Sequence, residues 1–194
     1  ADRYETIATA IAASYMNIMV AHTQGGEVTG SIDESVRHAV TKLSHIHFPA
    51  TEESAQRVEK LGESPDVIFN VGCPSIDLID PSNLQLNQGL LDTPGVGSHL
   101  KVDQEYLLVL QHPVTTEWDS AEKQIDETIA AIDELKLPTV WLWPNIDAGS
   151  DIISRKIRRF REVTNPNYLR MYKNFPPEDY LKILNNTLCI LGNS

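Results

Sequence analysis

The sequence predicts an α/β protein built from two successive parallel-sheet units, each covered by helices on both faces. Three observations predict it. Short, wholly apolar runs alternate with longer segments of helical periodicity, and a strand buried on both faces reads as such a run. The alternation is interrupted by a stretch rich in Asn, Gln, Pro, Gly and Ser over residues 81–102, taken as the link between the units. Polar and glycine-bearing clusters follow the predicted strands, at the carboxyl ends where sheets of this kind bind ligands.

The first unit opens with residues 6–16 (TIATAIAASYM), alanine-rich with apolar residues at helical spacing, which predicts a moderately buried helix. The apolar run 18–21 predicts a buried strand that stops at a loop beginning with His22. Ser31 can cap a helix, and Glu34 stands three residues later, so a second helix is expected through Arg37, His38 and Lys42. Residues 45–49 predict a strand, Thr51 caps a helix reaching Lys60, and residues 66–71 (DVIFNV) predict a strand ending at Gly72-Cys73-Pro74. In the second unit, strands are expected at 106–110, 139–143, 168–172 and 187–191, separated by helices at 121–135, 152–163 and 177–184. There is no internal repeat and no low-complexity tract.

Composition narrows the function classes. The 194 residues are 41% hydrophobic and 22% charged, with 16 Lys and Arg against 27 Asp and Glu, for a formal charge of −11. Such a surface repels polyanions, so no nucleic-acid partner is expected. No apolar run approaches the roughly 20 residues of a membrane helix, so no membrane partner is expected either. The start, Ala1-Asp2-Arg3-Tyr4-Glu5, does not read as a signal peptide. Cys73 and Cys189 lie too far apart to form a metal knuckle or a redox pair. The expectation is a reduced, cytoplasmic enzyme with no cofactor and no metal.

Residues 22–30 (HTQGGEVTG) combine glycines with a carboxylate and an imidazole. They are either a plain turn or a place where backbone amides approach an anion. Asp33, taken alone, reads as a first-turn acid that suits the helix dipole. His45 and His47 share one strand face, as a metal pair would, but no H-E-x-x-H or cysteine-rich partner supports that reading. His112 is better placed: Pro113 ends the strand and leaves the imidazole at its tip, able to donate to a phosphate or move a proton. Arg155, Lys156, Arg158, Arg159 and Arg161 form a basic stripe, read as a solvated helix face or a contact with an acidic surface. Trp141, Trp143 and Cys189 read as packing. No G-x-S-x-G elbow occurs.

Taken together and in order, the clusters become specific. Residues 2–5 (DRYE), 22–30, 32–38 (IDESVRH), 72–77 (GCPSID), 111–117 (QHPVTTE), 144–150 (PNIDAGS) and 192–194 (GNS) resemble the hydrolysing UDP-N-acetylglucosamine 2-epimerases of sialic acid biosynthesis. The resemblance implies two Rossmann-like domains of glycosyltransferase-B type, both incomplete in this chain. Residues 1–80 would close the first, 81–102 would link, and 103–194 would open a second, UDP-binding domain. It implies conversion of UDP-N-acetylglucosamine and water to N-acetylmannosamine and UDP, through 2-acetamidoglucal. A homo-oligomeric parent protein is implied as well.

Carried over by motif, Asp2 and Asp33 stand where the family places acid/base carboxylates, with Gln24, Glu27 and His112 completing the catalytic set. Arg3, His22, Arg37, His112, Asn145, Asp147, Asn193 and Ser194 are implied as substrate contacts. A forked guanidinium at Arg3 suits a pyrophosphate. Gln24 departs from the Glu of many members: an amide can hydrogen-bond but cannot take a proton, which shifts that work to Glu27, Asp2 or Asp33. Ala1 replaces a common Gly. Since the family's first strands would precede Asp2 and a uridine-gripping segment would follow Ser194, the chain reads as an internal fragment, inactive on its own. The competing readings are a non-hydrolysing epimerase, a related nucleotide-sugar glycosyltransferase and a non-catalytic UDP-sugar-binding module.

Overall fold

The computed structural model describes residues 3–30 and 32–193, the side chains of Thr115, Thr116 and Trp118 excepted. The capping residue Ser31 therefore lies outside the described residues, as do Asp2 and Ser194. The chain divides into two compact units, Ala1–Asp77 and Leu78–Ser194.

The first unit contains α1 (Tyr4–Tyr15), β1 (Ala21–Thr23), α2 (Ile32–Leu43), β2 (Ile46–Phe48), α3 (Glu52–Lys60) and the single turn α4 (Pro74–Asp77). β1 and β2 run parallel with His22 opposite His47. The buried stripe of α2 is Arg37, Val40 and Thr41, two polar residues on what would ordinarily be an apolar face. Thr51 caps α3 as its sequence predicts, accepting from the Ser54 N–H at 3.1 Å. Only Ala10 of α1 is buried among the described residues, less than the periodicity suggests.

Two strands differ from expectation here. The first begins at Ala21, not at residue 18, so His22 is the buried middle of a strand and not the start of a loop. The expected strand at 66–71 is a 3-10 turn, Pro65–Val67, capped by Ser64, followed by a single parallel bridge between His47 and Ile68. Pro65 sets the turn, and Phe69 then hydrogen-bonds the His47 carbonyl at 2.8 Å without a regular ladder.

The second unit contains α5 (Gln88–Leu91), β3 (Val96–Gly97), β4 (Leu107–Leu110), α6 (Ala121–Leu135), β5 (Thr139–Leu142), α7 (Ser150–Thr164), β6 (Leu169–Tyr172), α8 (Pro177–Asn186) and β7 (Cys189–Gly192). The strand order is β3-β6-β5-β4-β7, parallel except for β3, an antiparallel edge. Alternation along each central strand feeds two cores. Val109, Trp141, Leu169 and Met171 pack with Ile125, Ile132, Ile153, Ile157 and Phe160 of α6 and α7. Leu108, Val140, Leu142 and Tyr172 face the other way, onto Leu90, Leu91, Leu100 and Ile183. Each fully buried aliphatic contributes about 1.5–3 kcal/mol, so both faces hold the sheet.

The stretch 81–102, expected as a link, belongs to this second unit. Leu91 is fully buried, Leu90 and Leu100 nearly so, and Val96–Gly97 extends the sheet. Its turn residues conceal three core positions spaced to suit a wrapping segment. Cys189, expected in packing, is exposed because β7 is an edge strand of the described sheet.

Candidate functional site

In the first unit, the segment after β1 is held by its own protein on several sides. His22 is 3% exposed, with Nδ1 3.2 Å from Thr41 Oγ1. Thr41 Oγ1 also lies 3.1 Å from the Arg37 carbonyl, so its single proton serves either that oxygen or His22 Nδ1. Gln24 has a left-handed φ of 58°, its N–H donates to the Phe48 carbonyl at 2.8 Å, and its Nε2 donates to Cys73 Sγ at 3.2 Å.

The two glycines serve packing inside the protein. A Cβ on Gly25 would stand 3.0 Å from His22 Nδ1, and one on Gly26 would stand 2.2 Å from the Ser54 carbonyl oxygen. Arg57 Nη1 donates to the Gly26 carbonyl. At both positions the missing Cβ admits neighbouring side chains and backbone.

Arg37 sits behind that segment. It is 2% exposed and donates from Nη1 to the Glu27 carbonyl at 2.8 Å, with Thr29 Oγ1 at 3.5 Å. Through these bonds it supports the Glu27 loop, at a residue the resemblance also implies as a substrate contact. Glu34 Oε2 accepts from the N–H groups of Gly30 at 2.8 Å and Thr29 at 2.9 Å. Those bonds hold its carboxyl below the usual range. Glu27 remains half-buried and Asp33 exposed in the first turn of α2. Arg3 is exposed at the N-cap of α1. A cleft of about 340 Å³ runs beside His22, between Glu5, Thr6 and Thr9 of α1 and the strand β1.

Cys73, which the sequence reading sets aside as too far from Cys189 to pair, joins this cluster. Ser75 N–H, then the Gln24 amide and the Ile76 N–H, pull its thiol pKa below the ordinary value against the opposing effect of partial burial. Thr41 was missed as well. Its signal was a hydroxyl four residues after Arg37 on the buried stripe of α2.

In the second unit, strand order gathers three motifs. β4 lies between β5 and β7, and all three run parallel, so residues just past their carboxyl ends meet. His112 follows β4, Asn145 follows β5 and Asn193 follows β7. Asn145 N–H donates to His112 Nδ1 at 3.0 Å. Neutral His112 therefore carries its proton on Nε2. Asn193 Oδ1 accepts from the His112 N–H at 2.8 Å while its Nδ2 donates to the His112 carbonyl at 2.9 Å. Asp147 is half-buried, its carbonyl accepting from Ser150 N–H in the turn that starts α7.

The basic stripe of α7 is partly engaged. Lys156 bridges Glu122 at 2.7 Å and Asp126 at 2.9 Å on α6. Arg158 lies 5.3 Å from the centre of the Trp143 ring, which is half-buried, unlike the wholly buried Trp141. Arg155, Arg158 and Arg159 line a cleft of about 610 Å³ with Trp143 and Asn145. Among the described residues, no three His, Cys, Asp or Glu side chains are grouped to hold a metal ion. Among them too, no helix is long and apolar enough to cross a membrane.

The family model described as UDP-N-acetylglucosamine 2-epimerase matches residues 1–194. A Legionella pneumophila UDP-N,N'-diacetylbacillosamine 2-epimerase (hydrolyzing) is 38% identical over 193 residues, covering 100% of this chain and 49% of its own length. The Escherichia coli polysialic acid biosynthesis protein P7 is 38% identical over 202 residues, with 100% and 48% covered. The chain thus spans about half the length of the curated relatives it matches. A Methanocaldococcus jannaschii UDP-GlcNAc 2-epimerase solved with UDP-GlcNAc and UDP superposes with a TM-score of 0.71 at 20% identity, over 100% of this chain and 53% of that one. The fold is that of the glycosyltransferase-B-type epimerases, and the chain belongs to the UDP-N-acetylglucosamine 2-epimerase family.

Proposed function

We propose that the protein carrying this chain is a hydrolysing UDP-sugar 2-epimerase that converts UDP-N-acetylglucosamine and water to N-acetylmannosamine and UDP. A carboxylate removes the C2 proton while the C1–O bond breaks and UDP leaves with the electron pair, forming 2-acetamidoglucal. Water then adds its hydroxyl at C1, and a proton is delivered to C2 from the opposite face. Asp33 and Glu27, with Asp2, supply the proton-transfer groups, because Gln24 cannot ionise. His112, with its proton on Nε2, donates to the pyrophosphate as negative charge grows there. Arg3 adds a forked cation for the phosphates. Arg37 and Glu34 hold the Glu27 loop.

The observation that carries the hydrolysing reading is 38% identity, over 193 residues, to a relative that bears that activity in its name. The same relative favours a second reading of the substrate: the 4-acetamido sugar of UDP-N,N'-diacetylbacillosamine in place of the 4-hydroxyl sugar. Turnover of both nucleotide sugars by the full-length protein, with UDP and free sugar quantified, separates the two. A kcat/KM at least tenfold higher for UDP-N-acetylglucosamine supports the first reading. The reverse ratio supports the second, and product still attached to UDP contradicts both.

A further inference from the structure

We infer that Asn193 is a positioning residue for His112 and not a contact for the nucleotide. Its side-chain amide matches the His112 peptide edge to edge, Oδ1 taking the N–H at 2.8 Å and Nδ2 meeting the carbonyl at 2.9 Å. The Asn193 backbone N–H adds a third bond, to the Leu110 carbonyl at 3.2 Å. Gly192 makes this approach possible: its φ is 144°, and a Cβ there would stand 1.9 Å from the Leu110 oxygen. The clasp fixes the His112 backbone, while the Asn145 N–H fixes the ring through Nδ1 at 3.0 Å. Backbone and ring are thus set by different strands, and the fixed tautomer puts a proton on Nε2.

An imidazole that must meet a leaving phosphate gains from such fixing, since a misplacement of about 1 Å can cost roughly 10²-fold in rate. The inference rests on the reading of His112 as a donor to the leaving pyrophosphate. Asn193 acts through His112, so its loss lowers kcat and spares nucleotide affinity.

The test uses the full-length protein with Asn193→Ala and Asn193→Asp. The aspartate keeps shape and acceptor but sets an oxygen against the His112 carbonyl, which space-filling alone would tolerate. Both variants are expected to lower kcat roughly 10- to 100-fold, with KM and UDP Kd within about threefold of wild type. Independently of turnover, ¹⁵N spectra of the wild-type His112 ring are expected to show a protonated Nε2 and a bare Nδ1. Asn193→Ala is expected to shift the His112 backbone amide resonance, which loses its Oδ1 acceptor, while the Asn145 N–H keeps the tautomer as it is; if it fails to fold, Asn193→Asp serves the same comparison. A raised KM or UDP Kd with kcat intact would overturn the inference, as would unchanged kcat or a His112 backbone amide resonance unchanged in both variants. If wild type releases no UDP from either sugar, the functional reading fails, while the backbone amide spectra still decide whether Asn193 fixes His112.

Discussion

Gln24 donates from Nε2 to the Cys73 sulfur across 3.2 Å, joining two loops whose residues are 49 positions apart. The bond gives the thiol an amide donor beside the N–H groups of Ser75 and Ile76, and together they favour its thiolate. Cys73 is therefore expected to react with iodoacetamide faster than Cys189 at pH 7.5, by about two- to tenfold. Gln24→Leu removes one donor and slows Cys73 without changing Cys189. Mass-spectrometric alkylation rates check this, and equal rates at both cysteines would contradict it.

Gly26 and Gly30 both hold positive φ, 85° and 68°, but only Gly26 is crowded, with the Ser54 carbonyl 2.2 Å from a would-be Cβ and nothing within 4 Å of Gly30. Gly30→Ala is expected to cost about 1 kcal/mol for the backbone conformation alone. Gly26→Ala adds a displacement of α3 and is expected to cost about 2–4 kcal/mol. Urea unfolding of the two variants measures the difference.

Acid weakens the cluster of Lys42, His47 and Glu63. His47 is 1% exposed and burial lowers its pKa below 6.5, against the pull of Glu63. For Glu63, burial pushes up, but the Lys42 hydrogen bond and charge with His47 outweigh it, leaving the carboxyl below 4.5. The unfolded chain binds more protons at both groups, so stability rises with pH through their windows. His47's contribution is present above pH 6.5 and is lost as the pH falls through that value toward its folded pKa. Glu63's is present above 4.5 and is lost as the pH falls through its lower folded pKa. Melting temperature is expected to drop from pH 7.5 to 5.5, and His47→Gln to lose most of that slope. A flat wild-type profile would contradict the assignment.

Asp33 stands exposed in the first turn of α2, beside the loop that Arg37 and Glu34 hold. Asp33→Asn is expected to lower kcat roughly 10²- to 10⁴-fold, as the loss of a proton-transfer group requires, while the lost first-turn charge costs only about 0.3–1 kcal/mol of stability. Steady-state UDP release by the full-length variant reads this directly. Full activity would remove Asp33 from the catalytic set.

The second unit was the more legible in sequence. Its helix at 121–135 was predicted to the residue, because α6 carries an uninterrupted apolar stripe and both its flanks turn polar. Residues 81–102 misled because Leu90, Leu91 and Leu100 are scattered among turn residues, and the two-residue β3 leaves no periodicity to find. The carboxyl-end rule marks the clusters that hold His112, Asn145 and Asn193, and the resemblance singles out the two asparagines within them. Strand order, which no local pattern encodes, brings them together. Arg37 is a substrate contact by the resemblance alone, and its bond to the Glu27 carbonyl, ten positions away on another element, is one that no local pattern encodes. The Cys73 partnership likewise depends on tertiary placement.

In the proposed reaction, C2 deprotonation and loss of UDP are coupled. Incubating the full-length protein with UDP-N-acetylglucosamine in heavy water and following the products by NMR tests it most directly. The expected result is free N-acetylmannosamine with deuterium at C2, formed together with one equivalent of UDP. N-acetylmannosamine still bound to UDP, or a free sugar that retains the original C2 hydrogen, would contradict it.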